Sequence, residues 1–321
     1  MIRILLKHEY EFHSEWEELT QEEALIVFSI IRRLEERKIS INHARAELFM
    51  RMSGINIPRE KREGAFWANV YQVASAFRFF YKYVYTDEGF KHLSADTRSK
   101  LEKYLPFELE QTPEIRVAAN MPVSYTFDMV FGRNLVTTIK HKNRVINTYS
   151  FSNADGIITT SLTALQYVDA IAIVKKYCET QSPTVLDLLV SILCHAMPYT
   201  SLGASDEQKL YTDINQDLKL AILYNFMAIC QWIRTRTHFN ILWLSTKKSK
   251  PSDSVGDMIY SISKEGYGTP DQVSNMNLVV MLELMKKITI GNIQSLHAKK
   301  VKLVEIADIT GYPVEIITKL I

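Results

Sequence analysis

Glycine and proline are scarce, 11 and 9 among 321 residues. That speaks against a loop-dominated all-β design, which uses both at its many turns. Cysteine is scarcer still. Cys178, Cys194 and Cys230 form no C-x-x-C pair and sit in apolar helical contexts, so they read as reduced, packed thiols. Neither sign of charge dominates. Lys plus Arg is 38 and Asp plus Glu is 36, a net charge of +2, which gives no global pull toward nucleic acid or an anionic membrane. Long hydrophobic runs are missing too. The most apolar stretch, Leu218 to Leu244, is interrupted by Lys219, Asn225, Gln231, Arg234 and Arg236, short of the roughly 18 apolar residues that span a bilayer. At the start, Ile4, Leu5 and Leu6 are too few for a secretory core. The expectation is a cytoplasmic protein that does not span a membrane.

Chemical signatures are also sparse. The chain has 8 histidines; none pairs with another at i, i+3 or i, i+4 on one helix, and none lies at ligand spacing from a cysteine. G-x-S-x-G and phosphate-binding glycine loops do not occur. Glu15, Glu17, Glu18, Glu22 and Glu23 fit a solvated face and a helix cap better than an acid/base pair. Cys194 and His195 are neighbours on a helix and point about 100° apart, so a dyad is disfavoured. No enzyme, metal or cofactor is expected.

What the sequence does contain is helical pattern. Thr20 and Glu23 form a capping box. Ala24, Leu25, Val27, Phe28, Ile31 and Leu34 follow at helical spacing, and Trp16 is expected to fold back over the first turns. A second helix runs from about Asn42 to Met52 and stops at Gly54. A third is expected from Glu63 to Tyr85, with Phe66, Val70, Val73, Phe77, Phe80 and Val84 on one stripe and Trp67, Tyr71, Phe79, Tyr81, Tyr83 and Tyr85 widening it. A helix so aromatic is either deeply buried or shared with a partner. A short helix over 95–104 precedes Pro106.

From Pro106 to Ser152 the helical period disappears, and a turn candidate at His141-Lys142-Asn143 suggests a hairpin. Residues 2–12 read as one strand. Helices return over 160–179, from Ser182-Pro183 to about His195, over 217–244, over 255–264, and from Thr269-Pro270 into 277–288; a pair of short helices closes the chain. The expected fold is mainly α: a multi-helix, bundle-like architecture with a short N-terminal strand and a small β insert or hairpin near residues 115–152. It divides into an N-terminal helical domain (1–105), a β-rich insert or linker (106–152), and a C-terminal helical domain ending in a helical hairpin (153–321).

That last hairpin has the apolar and glycine spacing of a helix-turn-helix: Leu303, Ile306, Ala307, Gly311 and Ile317. Its second helix offers Tyr312, Pro313, Val314, Glu315 and Lys319 in place of base-reading Arg, Asn or Gln. DNA binding or regulation through this hairpin is the alternative function.

Several segments together carry a resemblance. They are "WEELTQEE", the helical pair "ITTSLTALQYVDAIAIVKKYCETQSPTVLDLLVSILCHAMPY", "DLKLAILYNFMAICQWI", and "SVGDMIYSISKEGYGTPDQVSNMNLVVMLELM". This succession resembles tail-module proteins of phages and prophages, of the tail-assembly chaperone kind. The resemblance implies a non-enzymatic assembly or scaffolding protein of the host cytoplasm. Its partner would be another tail protein, such as the tape measure or tail tube; nucleic acid is not the expected partner, and self-association is left open. A chaperone of amphipathic helices needs a greasy groove. The implied lining is Phe77, Phe80, Tyr81, Tyr83 and Tyr85, with Met276, Met281 and Met285 as weaker candidates.

Overall fold

The computed structural model describes residues 2–5, 9–54, 64–85, 123–246 and 255–321, besides Ser94, Ala95 and Ser99. Among the described residues the fold is mainly α, with 12 helices and 4 two-stranded antiparallel sheets. The chain divides into two compact units, Met1–Met129 and Val130–Ile321. The 106–152 stretch, anticipated as one insert, is therefore shared between them. The short helix expected over 95–104 lies largely outside the described residues.

In the first unit the single strand expected over 2–12 is a pair, β1 (Ile2–Leu5) and β2 (Glu9–Phe12), with Ile2 opposite Phe12. The next helix, α1 (Gln21–Glu35), begins as its sequence predicts. Thr20 Oγ1 accepts from the Glu23 N–H at 3.3 Å, and Glu23 Oε2 accepts from the Thr20 N–H at 2.7 Å. Trp16 is buried, stacks on Phe28 at 5.6 Å between ring centroids, and donates its indole N–H to the Asp128 carbonyl at 2.7 Å. The helix buries Val27, Phe28, Ile31 and Leu34 as its apolar period requires. Helix α2 (Ile41–Ser53) starts at the Ser40 cap and stops at Gly54, whose φ of 65° is the left-handed conformation glycine adopts without strain.

The long aromatic helix is corrected. Helix α3 (Gly64–Ala74) ends eleven residues early, and strand β3 (Tyr81–Tyr85) pairs with β4 (Val123–Phe127). A run that is aromatic at nearly every position satisfies a helical and a strand period equally. The β preference of aromatic residues and the alternation of "YKYVY" then decide in favour of the strand.

The second unit opens with two hairpins. Strands β5 (Thr138–His141) and β6 (Arg144–Asn147) turn at Lys142-Asn143, as expected. Strands β7 (Phe151–Ala154) and β8 (Ile157–Thr160) reach the position where the sequence pattern starts a helix. Their turn is Asp155-Gly156, with φ of 52° and 82°, the positive pair that a tight hairpin turn demands.

Helices follow in order: α4 (Ala164–Thr180), α5 (Pro183–Cys194), α6 (Ser201–Glu207) and α7 (Gln216–Arg236). Then come α8 (Val255–Lys264), α9 (Pro270–Asn275), α10 (Leu278–Ala298), α11 (Leu303–Thr310) and α12 (Val314–Leu320). The expected 217–244 helix ends at Arg236. There the Thr237 hydroxyl donates to the Ile233 carbonyl at 2.6 Å and accepts from the Phe239 N–H at 3.1 Å, and a separate 3-10 turn, Asn240–Trp243, takes over.

Helix α7 is buried nearly all round, with Leu220, Ile222, Phe226 and Ile229 in the core. The start of α4 is stitched to the start of α10: Ala164 N–H donates to the Met276 carbonyl at 2.8 Å, and Leu278 N–H to the Leu162 carbonyl at 2.9 Å. The C-terminal end of α10 carries a core of its own. Ile293 packs with Ile241, Ile306, Tyr312 and Ile317, which fastens α11 and α12 to it.

Candidate functional site

Three of the five aromatic residues singled out as groove lining are in the core. Phe77 and Phe80 are fully buried and Tyr81 is 4% exposed. Phe77 packs edge-on against Phe12 at 5.1 Å, and Tyr81 accepts a hydrogen bond from buried Arg45 Nη1 at 2.9 Å. Three rings that close a core cannot also line a surface groove, because removing them from water is what holds the unit together. Tyr83 and Tyr85 lie in β3, opposite Tyr125 and Val123, and their side-chain surroundings fall outside the described part. Of the weaker methionines, Met281 is fully buried, whereas Met276 and Met285 are half-buried.

Three buried polar side chains of the second unit, Asn134, Asn225 and Lys219, are matched to partners. Asn225, 1% exposed, accepts from the Leu135 N–H at 2.8 Å. It donates to Asn134 Oδ1 at 2.8 Å and to the Tyr149 hydroxyl at 3.0 Å. Asn134 in turn accepts from the Val136 N–H at 2.9 Å and donates to Thr148 Oγ1 at 2.9 Å. Burial lifts the Tyr149 hydroxyl well above its ordinary value, so it stays protonated. Lys219 Nζ donates to Asp187 Oδ1 in the core between α5 and α7, and to the Thr212 carbonyl at 2.8 Å. Both arrangements are satisfied internally, which is what buried polar groups need to persist.

A third cluster gathers at the start of α6. The Tyr199 hydroxyl and Ser201 Oγ both donate to Asp169 Oδ2, at 2.7 and 2.5 Å, and His195 Nδ1 pairs with Glu207 Oε2 at 2.8 Å. A Cβ on Gly203 would lie 3.3 Å from His195 Nε2, so that nitrogen faces packed chain. Adjacent Cys194 has its thiol raised by burial, and burial likewise pushes the Cys230 thiol up to about 12. Neither is a thiolate nucleophile near neutrality. Cys178, expected to be packed, is exposed. Among the described residues no group of three His, Cys, Asp or Glu is arranged to hold a metal ion, and no helix is long and apolar enough to cross a membrane.

Two surface features remain. One is a cleft of about 560 Å³ along the middle of α10, bordered by Glu265, Tyr267, Glu283, Lys286 and Lys287. None of the residues lining it is buried, so it encloses no ligand-sized dry space. The other is the outer face of α11. This helix buries Ile306 and half-buries Leu303, Ala307 and Thr310, as its apolar spacing predicts. The opposite face carries Val304 at 64% and Ile309 at 53% exposure, with exposed Glu305 and Asp308 between them. On α12 the exposed positions are Glu315, Thr318 and Lys319. That set has neither the Arg, Asn or Gln of base readout nor a net positive charge.

The residues missed in the sequence have visible signals. Asn225 is a lone amide inside "LAILYNFMAIC", and Val304 and Ile309 are bulky apolar residues out of step with the Leu303–Ile306–Ala307 stripe. Compared with protein-family models, curated proteins and solved structures, the chain finds no match.

Proposed function

We propose that this chain is a non-catalytic assembly or scaffolding factor that works by binding another polypeptide, as its resemblance to phage and prophage tail-module proteins implies. The tail tape measure is the partner that reading favours, with the tail tube next, and the host cytoplasm is where assembly would take place. The observation that carries it is the outer face of α11. Large apolar side chains project from a helix whose other face is firmly packed, and apolar surface on a rigid support is what a protein partner covers. The aromatic groove is withdrawn from the proposal, because Phe77, Phe80 and Tyr81 are core.

Coexpression with a candidate tape-measure protein tests the reading. The proposal expects more of that protein in the soluble fraction, and a complex that survives purification. Equal precipitation with and without this chain counts against it.

A further inference from the structure

Strands β5 and β6 form a two-stranded ribbon, and the outer edge of β6 is open. The two-residue turn makes His141 and Arg144 the hydrogen-bonded pair nearest the tip. At the base the Thr148 N–H donates to the Thr137 carbonyl at 2.9 Å, which puts the ladder in the same phase. Bonded and unbonded pairs alternate along an antiparallel ladder. The N–H and C=O groups of Val145 and Asn147 therefore point outward from β6, and among the described residues no hydrogen bond meets them. Both residues are exposed, Val145 at 64%. The ribbon is anchored at its base, where Ile139 is buried and the Tyr149 N–H donates to the Leu193 carbonyl at 3.0 Å. Its charge is of one sign. From Thr138 to Asn147 it carries Lys140, Lys142 and Arg144 and no acid. Lys142 pairs with Asp213 at 2.8 Å, whereas exposed Lys140 and Arg144 are not ion-paired among the described residues. Lys140 stands opposite Val145 on one face of the ribbon, and Arg144 opposite His141 on the other.

We infer that β6 takes up an extended acidic segment of another polypeptide as a third strand, with a carboxylate beside Arg144 and a β-branched side chain beside Val145. The edge itself favours a polypeptide over nucleic acid. Val145 and Asn147 present two donors and two acceptors, spaced two residues apart. An extended backbone answers all four, whereas a phosphate backbone offers acceptors alone and leaves both carbonyls unmet. Charge then selects among polypeptides. Cations on a bare edge repel another basic edge and admit an acidic one. A second copy of this chain fits poorly for the same reason, since pairing β6 with itself sets two basic ribbons side by side. A third strand also stabilises a sheet that is marginal with two. The inference goes beyond the assembly reading: it uses neither α11 nor a tail partner, and it stands or falls without them.

The test is fluorescence anisotropy of the full chain with four labelled probes. They are an extended peptide of valine, threonine and glutamate, the same peptide with lysine for glutamate, the glutamate peptide with every backbone amide N-methylated, and a DNA duplex. The glutamate peptide binds most tightly, and the lysine and N-methylated peptides do not bind. Val145→Pro weakens the glutamate peptide roughly tenfold, through loss of an edge hydrogen bond. It leaves the β5–β6 ladder intact, because the Val145 N–H takes no part in it. Lys140→Glu/Arg144→Glu weakens the glutamate peptide roughly tenfold, as two exposed ion pairs imply, and creates binding to the lysine peptide. Thermal melts confirm that each variant is folded. Should the proline variant not fold, the N-methylated peptide tests the same bonds from the ligand's side. Equal binding of the glutamate peptide and its N-methylated copy overturns the inference. So does a preference unchanged by charge reversal, tighter binding of duplex than of peptide, or no binding of the glutamate peptide at all.

Discussion

Replacing Asn225 by Ala removes the centre of the buried amide network, and its cost can be worked out bond by bond. The Leu135 N–H loses its acceptor inside the core, and a stranded buried donor costs about 1–3 kcal/mol. Asn134 Oδ1 loses one donor but keeps the Val136 N–H, and the Tyr149 hydroxyl loses the amide that faces it. Together these losses sum to about 3 kcal/mol, since a typical hydrogen bond contributes about 1 kcal/mol net. Against a stability of about 5–15 kcal/mol that is large. For a unit of this size it lowers the melting temperature by about 6–12 °C. Trp232 reports on the same unit, because its ring meets Phe151, two residues after Tyr149, edge-on at 6.1 Å. Urea unfolding followed by tryptophan fluorescence is therefore a suitable assay. Asn134→Ala should destabilise by a comparable amount, and the double variant by less than the sum, because the two amides share bonds. A loss below about 1 kcal/mol, or strict additivity, would refute the argument that this network fixes the hairpin region onto α7.

Two other predictions concern charge. Lys219→Met strands Asp187 in the core and costs about 3–5 kcal/mol, whereas Lys219→Met/Asp187→Leu recovers most of that; thermal melts of both variants check it. Glu23 has its carboxyl held below the ordinary 4.5. Burial raises it, and the Thr20 N–H and the His13 ring together outweigh burial. A depressed folded value means that its contribution is present above the unfolded value and is lost as pH falls through the lower folded one. Stability of the first unit should therefore decline as pH drops below about 4.5, and Glu23→Gln should flatten part of that decline in acid titrations of unfolding.

Short-range chemistry was the most legible part of the fold. Thr20 with Glu23 and Thr269 with Gln272 cap their helices by bonds that span three residues, and Gly54 and Gly311 end theirs with positive φ. Such features depend on little beyond themselves. The aromatic stretch was not legible. Its composition fits both periods, and the pairing of Tyr81–Tyr85 with Val123–Phe127 joins residues about forty apart, a contact no local pattern encodes. The Asp155-Gly156 turn was legible in principle, since Asp-Gly between β-prone runs is the strongest short hairpin signal, but the helical pattern that follows it was extended too far back. For the candidate site, sequence supplied the buried face of α11. The exposure of Val304 and Ile309 depends on which neighbours the fold brings close, so it came from the structure.

Hydrogen–deuterium exchange on this chain, alone and in complex with a copurified tail protein, tests the central claim most directly. Slowed exchange concentrated in the amides of α11, with α4 unchanged, is the outcome expected of a polypeptide seated on Val304 and Ile309. Unchanged exchange across α11 in a complex that demonstrably forms would contradict it.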